Sequence, residues 1–555
     1  MNEKQTSSPE KPISQNENIS VENYDVAVIG GGINGVGIAR DLSIRGLKVI
    51  LFEKEDFGWG TTWASSCLMH GGARYIINDI GVTYKSSKEA GVAKKISTHL
   101  LSRRPFIIVS HSKTMTKLFD IYMSVYDIFS TMRGAIRHFK INQEEVEKIT
   151  GREVISKGGG VVTEEYAVDP VRLSVLNAIS AKDFGAKVLN HTEVIKIKKE
   201  NNQYLLVAKN TLSNSEIIVK SKIVVNTTGP WADKFILNAT ENNEKKKRLR
   251  PTKGIHIVFP GKILNSVISF QAIDGRYLLF VPLEDRTILG TTDDDFFGDP
   301  DEVEILRDEV EYLLHSAEKF IPRIREFKPF STKVGLRPTP YVYGVNEDKI
   351  TREFEIEDDD GFISVFGGKL ASYRLLAEIV SDLVCKKLGV NKKSKTHLIP
   401  LPGSENSEGE ENDDIEKFSE KIKDYLSRNF KIPEEIAHFM AKKYGWRSKE
   451  ILSQYGLGEP ICECSKVYEG EIRYAIEKEM AHTLEDVARR TWAGDGFCNG
   501  ILCAKKIIKI LLQKERKPEV GKFISRREKL LEPVKKYNQK LWEEFQKFKN
   551  QMLKD

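Results

Sequence analysis

Residues 24–30, YDVAVIG, run into GGINGVGIARDLSIRG over residues 31–46 and then into KVILFE over residues 48–53. The first stretch is short, β-branched and closed by glycine, and the last is a second run of the same kind. Between them, residues 33–45 space their apolar side chains as a helix does. Strand, helix and strand in that order make a β-α-β unit with two parallel strands. Gly30, Gly32 and Gly35 spell G-x-G-x-x-G where the first strand meets the helix. These glycines allow a tight turn and bring backbone N–H groups close to a pyrophosphate on the positive helix end, while Glu53 can accept ribose hydroxyls. A lone G-x-G-x-x-G serves many loops; with strand, helix and acid in place it reads as a dinucleotide site.

The chain is 555 residues long, 40% hydrophobic and 30% charged. Domains commonly run ~100 to 200 residues, so at least two folded units are expected. The 86 basic against 80 acidic residues leave a net charge of +6, too small an excess to imply a nucleic-acid partner. Residues 1–22 are polar and lack an apolar h-region, which predicts a disordered tail rather than a signal peptide. No uninterrupted apolar run approaches ~18 residues, so no spanning helix is expected and the chain is placed in the cytoplasm.

Further apolar runs at residues 217–225, 277–282, 287–291 and 362–366 alternate with helical stretches and glycine turns. They predict an α/β domain with an inserted antiparallel substrate layer, over residues 23–402. The acidic, polar stretch 403–414 reads as a linker. Residues 415–455 read as a small helical module, 456–513 as a cysteine-rich unit and 514–555 as a charged helical tail.

Two stretches favour FAD over NAD. VVNTTGPW at residues 224–231, with Gly229 in its turn, resembles the second FAD contact of the glutathione-reductase-like fold. VFGGKLASYRLL at residues 365–376 would bring a helix N-terminus to the flavin through Gly367 and Gly368, where a partial positive charge stabilises the reduced ring. With GGGINGVGIARDLSIRG, HGGARY (70–75), KGIHIVF (253–259), LGTTD (289–293), VGLRP (334–338) and FGGKLASYR (366–374), the chain resembles the FAD-dependent glycerol-3-phosphate dehydrogenases over residues 24–403. Its cysteine-rich extension is similar to that on the catalytic A subunit of the anaerobic members. The resemblance implies oxidation of sn-glycerol 3-phosphate to dihydroxyacetone phosphate, with hydride passing from C2 to flavin N5. It also implies companion electron-transfer subunits, membrane quinone as the destination, and a place on the inner face of the cell membrane.

A phosphate dianion needs converging cations, best supplied by Arg forks and Lys. By resemblance Arg74, Arg337 and Lys369 bind phosphate and hydroxyl, with Tyr75 as a supporting donor. His256 is the candidate to take the C2 hydroxyl proton; Arg337 or Lys369 would alternatively hold a developing alkoxide. Thr61, Thr62, Ser65 and Ser66 lie where the family wraps hydroxyls around FAD. Taken singly, an Arg in a Gly-Leu-Arg-Pro turn serves as well to bond loop carbonyls, and a strand His to fill a core. Cys67 stands where aerobic relatives carry Lys.

Cys462-x-Cys464, a helical span, then Cys498 and Cys503 resemble a 2Fe-2S module of the bacterioferritin-associated-ferredoxin type. Four thiolates suffice, and Gly494, Gly496 and Gly500 leave N–H groups to face the anionic sulfurs. A structural zinc ion uses the same two pairs. Cys385 reads as a buried core thiol. Residues 117–139 read as one amphipathic helix that packs in the core or rests on a membrane or partner surface.

Overall fold

The computed structural model describes residues 21–76, 79–240, 246–344, 353–405 and 414–554. The opening motif folds as read: strand β1 (Glu22–Ile29), helix α1 (Ile33–Ile44) and strand β2 (Val49–Phe52), with β1 and β2 parallel. β1 also pairs in parallel with Glu216–Asn226, which in turn pairs with Phe362–Phe366, so the glycine turns after these strands meet at one sheet edge. Ten of the twelve α1 residues are buried, which fits an apolar helix lying on the sheet rather than an amphipathic surface helix.

A second, ten-stranded and largely antiparallel sheet forms the expected substrate layer. At its centre Thr252–Pro260 lies between Arg286–Gly290 and Ser331–Arg337. Opposite residues on antiparallel strands share a face and alternate with period two. Hence Thr252, Gly254 and His256 face the same way as their partners Arg337, Gly335 and Lys333.

Beyond residue 414, Ile415–Phe430, Glu434–Tyr444 and Arg447–Tyr455 form the helical module around Ile422, Leu426, Met440 and Ile451. The cysteine-rich unit follows, with a short hairpin of Pro460–Cys462 and Val467–Tyr468 and helices Glu469–Glu477, Leu484–Thr491 and Ala504–Gln513. Buried ion pairs seat these units on the N-terminal one. Asp56 binds the Arg490 fork at 2.6 and 2.8 Å, and Arg172 binds Glu479 at 2.6 and 3.1 Å.

Three expectations need correction or limits. The helix read at residues 117–139 runs instead over Lys113–Ser130, and Gly134 at φ +67° turns the chain away before the strand Phe139–Ile141. Met123, Tyr126 and Phe129 pack inward, whereas Leu118, Ile121, Val125 and Ile128 are 41–65% exposed. The tail is two helices, Val520–Leu531 and Gln539–Met552, parted by a short turn carrying Pro533, which cannot continue an α-helix. Residues 1–20 of the expected tail and 406–413 of the expected linker lie outside the described residues. Cys385 is buried in the helix Tyr373–Lys387, as expected.

Candidate active site

The strand ends of the parallel sheet open onto a cavity of about 460 Å3. Gly30, Gly32, Glu53, Thr61, Thr62, Ser65, Gly229, Gly367, Gly368 and Lys369 all line it. Its two ends are joined directly: Asn34, inside the fingerprint, donates from Nδ2 to the Gly367 carbonyl at 3.2 Å. Gly30 has φ +103°, and a Cβ there would lie 2.6 Å from the Thr227 carbonyl oxygen. Gly35 is absent from the wall. A Cβ on it would lie 1.9 Å from the Gly30 oxygen, so it lets the helix approach the turn.

Glu53 accepts from the N–H groups of Gly31 at 2.6 Å and Glu55 at 2.8 Å. Burial nevertheless pushes its carboxyl up to about 7, the two N–H donors only partly opposing the loss of water. A carboxyl so placed would gain from ribose hydroxyls. Two buried acceptors on the same walls, Asn34 Oδ1 and Ser65 Oγ, have no hydrogen-bond partner among the described residues. The adenosine end, the glycine turn and the orphaned polar atoms suit a bound dinucleotide, so the residues fit FAD.

Beside the cavity the glycine motifs of the antiparallel sheet converge. Arg337 donates to Asp293 at 2.8 Å, to the Thr292 carbonyl at 2.9 Å and to Thr291 Oγ1 at 3.0 Å. Its guanidinium lies over Gly254, where a Cβ would come within 2.4 Å. The next residue, Pro338, is on the cavity wall. His256 packs on Gly290 in the same manner, at 2.4 Å from a Cβ there. KGIHIVF, LGTTD and VGLRP are therefore one cluster whose glycines make room for one Arg and one His.

Ser66 is not among the residues that line the cavity. Its hydroxyl lies 3.0 Å from His256 Nε2 and orients the ring. His256 Nδ1 is buried without a hydrogen-bond partner among the described residues. Burial, with Lys333 and Arg337 nearby, holds the imidazole well below its ordinary value, so it is neutral. Lys369 sits 4.0 Å above the Tyr75 ring and 3.3 Å from Glu353, tying HGGARY to FGGKLASYR. Arg74 belongs to the turn Ala73–Tyr75; its side chain lies outside the described residues. Sequence reading missed Lys333, whose ammonium is 3.5 Å from Cys67 Sγ and 3.4 Å from the Ser65 carbonyl. It thereby brings a cation from the strand Ser331–Arg337 to the loop that carries Cys67.

The four C-terminal cysteines come together. All four are free thiols: Cys464 and Cys503 are neighbours of Cys462, and Cys498 of Cys464. N–H groups of Ser465 and Gly494 point at Cys462, and those of Leu502 and Gly500 at Cys498. Donation from neighbouring thiols and these amides lowers both, Cys498 to about 7. Among the described residues no group of three or more His, Cys, Asp or Glu side chains is set to hold a metal ion.

A cavity that grips a dinucleotide at a parallel sheet, with an antiparallel layer carrying cations beside it, belongs to a flavin-dependent oxidoreductase. The family described as FAD dependent oxidoreductase matches residues 25–382, and that of the C-terminal domain of alpha-glycerophosphate oxidase matches residues 394–515, through all four cysteines. A glycerol-3-phosphate dehydrogenase of Synechocystis is 32% identical over 85% of this chain and 88% of its own length. The A subunit of the anaerobic glycerol-3-phosphate dehydrogenase from Haemophilus influenzae is 28% identical over 92% and 89%. The FAD-bound glycerol-3-phosphate dehydrogenase structure from Bacillus halodurans has the same fold, with TM-score 0.68 and 24% identity over 95% of each chain. The chain belongs to the FAD-dependent glycerol-3-phosphate dehydrogenase family.

Proposed function

We propose that this enzyme oxidises sn-glycerol 3-phosphate to dihydroxyacetone phosphate with FAD in the 460 Å3 cavity, and passes the electrons through a 2Fe-2S cluster on Cys462, Cys464, Cys498 and Cys503. Companion subunits and membrane quinone are the proposed route onward. The observation that carries the reading is the cluster of Arg337 and neutral His256 beside the cavity wall.

FAD bound there supplies a two-electron acceptor for hydride. The chain's own groups do the rest. Gly30 and Gly32 present the turn and helix end to the pyrophosphate, and Glu53 receives the ribose. Arg337, held by Asp293 and the Thr292 carbonyl, offers a fixed fork to the substrate's phosphate or oxygen, with Lys369, Arg74 and Tyr75 as the other binding groups. With Nε2–H donating to Ser66, the His256 lone pair sits on Nδ1, ready to take the hydroxyl proton at C2. The exposed face of Lys113–Ser130, bearing Leu118, Ile121, Val125 and Ile128 beside Lys113 and Lys117, is the proposed membrane rest. Co-sedimentation with anionic vesicles that survives Ile121→Glu with Ile128→Glu would remove that surface.

The deciding experiment adds sn-glycerol 3-phosphate to the purified protein without oxygen. Bleaching of the flavin band is expected; an unchanged spectrum rejects the substrate. Iron and acid-labile sulfide at about two each per chain are expected, and zinc in their place would remove the electron relay while leaving the flavin chemistry standing.

A further inference from the structure

Residues 516–555 lie beyond both family matches. Their first helix, Val520–Leu531, is nonetheless packed into the heart of the molecule, with Phe523, Ile524, Arg527, Leu530 and Leu531 buried. The Arg526 guanidinium carbon stands 3.8 Å from the centre of the Trp59 ring and 4.5 Å from that of Trp63. Trp59 is part of the flavin cavity wall. Burial holds this arginine down at about 10, with Glu485 nearby opposing the shift.

One residue on, the same helix grips the cysteine loop. Arg527 Nε donates to the Gly494 carbonyl at 3.2 Å, and the guanidinium pairs with Glu485 at 2.8 Å. The N–H of Gly494 is a donor to both Cys462 and Cys503. Phe523 closes the other side: a Cβ on Gly500 would lie 2.8 Å from its ring. At the far end Thr332 Oγ1 donates to the Leu530 carbonyl at 2.6 Å, on the strand that carries Arg337. A single helix thus touches the cofactor wall, the thiol loop and the substrate sheet.

We propose that Arg526 is a positioning residue that clamps Trp59 and Trp63, so that helix Val520–Leu531 sets the flavin cavity and the cysteine loop relative to each other. The inference rests on the reading of the cavity as the FAD site, and holds whether the thiols carry iron-sulfur or zinc. A planar guanidinium stacks on both indole faces, where an ammonium touches only one at a time. FAD entering the cavity must then stiffen the thiol loop through the clamp.

The test is hydrogen-deuterium exchange of the full chain with and without FAD, read at residues 494–503, alongside the FAD dissociation constant. In the parent protein FAD should slow exchange in that loop. Arg526→Ala should abolish the slowing and weaken FAD about tenfold, with Arg526→Lys between the two. Should Arg526→Ala fail to fold by circular dichroism, Trp63→Leu, which removes one face of the clamp, must give the same loss of coupling. FAD protection of residues 494–503 that persists in the variants overturns the proposal, as does its absence in the FAD-binding parent. A parent that binds no FAD would instead overturn the reading of the cavity.

Discussion

The cofactor cavity and the seat of the cysteine-rich unit are built by opposite means. The cavity is lined by turns whose backbone does the binding, and at Gly30 and Gly367 a Cβ would run into neighbouring backbone. The seat is made from buried charge: Asp56 with Arg490, Arg172 with Glu479, and Lys443 with Glu471. Backbone recognition writes itself into short local motifs. Charge pairing across 434 or 307 residues, as in the first two, leaves no such trace, and a buried ion left alone costs far more than the pair contributes.

The sharpest way to break that contrast is Arg490→Met. It takes from the Asp56 carboxylate the arginine that does most to hold it well below its usual range, leaving Arg489 at 3.3 Å as the nearest cation. A loss of about 3–5 kcal/mol is expected from urea unfolding; a loss under about 1 kcal/mol would mean that the seat is not held by charge. Arg337→Ala should act on the other region and on chemistry alone. Turnover of sn-glycerol 3-phosphate relative to KM should fall about 10²–10³-fold while FAD absorbance is retained. Unchanged steady-state kinetics would remove the arginine from the site.

The smallest effect concerns pH. Because His256 in the folded protein titrates well below 6.5, it stays neutral as pH falls through that value. The acid limb of kcat/KM should therefore lie below pH 6.5. The same depression means that the stability it contributes is present above 6.5 and is lost as pH falls from there toward the folded value. An acid limb centred at 6.5 would assign the proton to another group.

Much of the cavity is legible in the sequence because strand, glycine turn and helix are adjacent in the chain. β1 and α1 fall within two residues of their expected bounds, and the Gly367 turn, expected at the flavin from its motif, meets the fingerprint through Asn34. The substrate cluster is half legible. Period two on a strand puts residues 252, 254 and 256 on one face, but their pairing with residues 337, 335 and 333 depends on sheet register. For that reason Lys333 escapes notice, as does the contact of Ser66 with a histidine 190 residues away. The amphipathic helix is overextended because apolar spacing continues past Gly134, whose left-handed turn ends it. The tail reads only as charged helix, since its charges outnumber the few apolar residues that bury it.

The Asp56–Arg490 pair also dictates an order of events during biosynthesis. The two residues are 434 positions apart. At ordinary synthesis rates about 20 to 90 seconds separate their emergence. The nascent N-terminal unit must wait that long with an unneutralised acid on the surface that will become its interior. Closure thus waits on the synthesis of Arg490, and a message truncated before that residue yields a chain that carries every glycine of the fingerprint and still lacks the partner of Asp56.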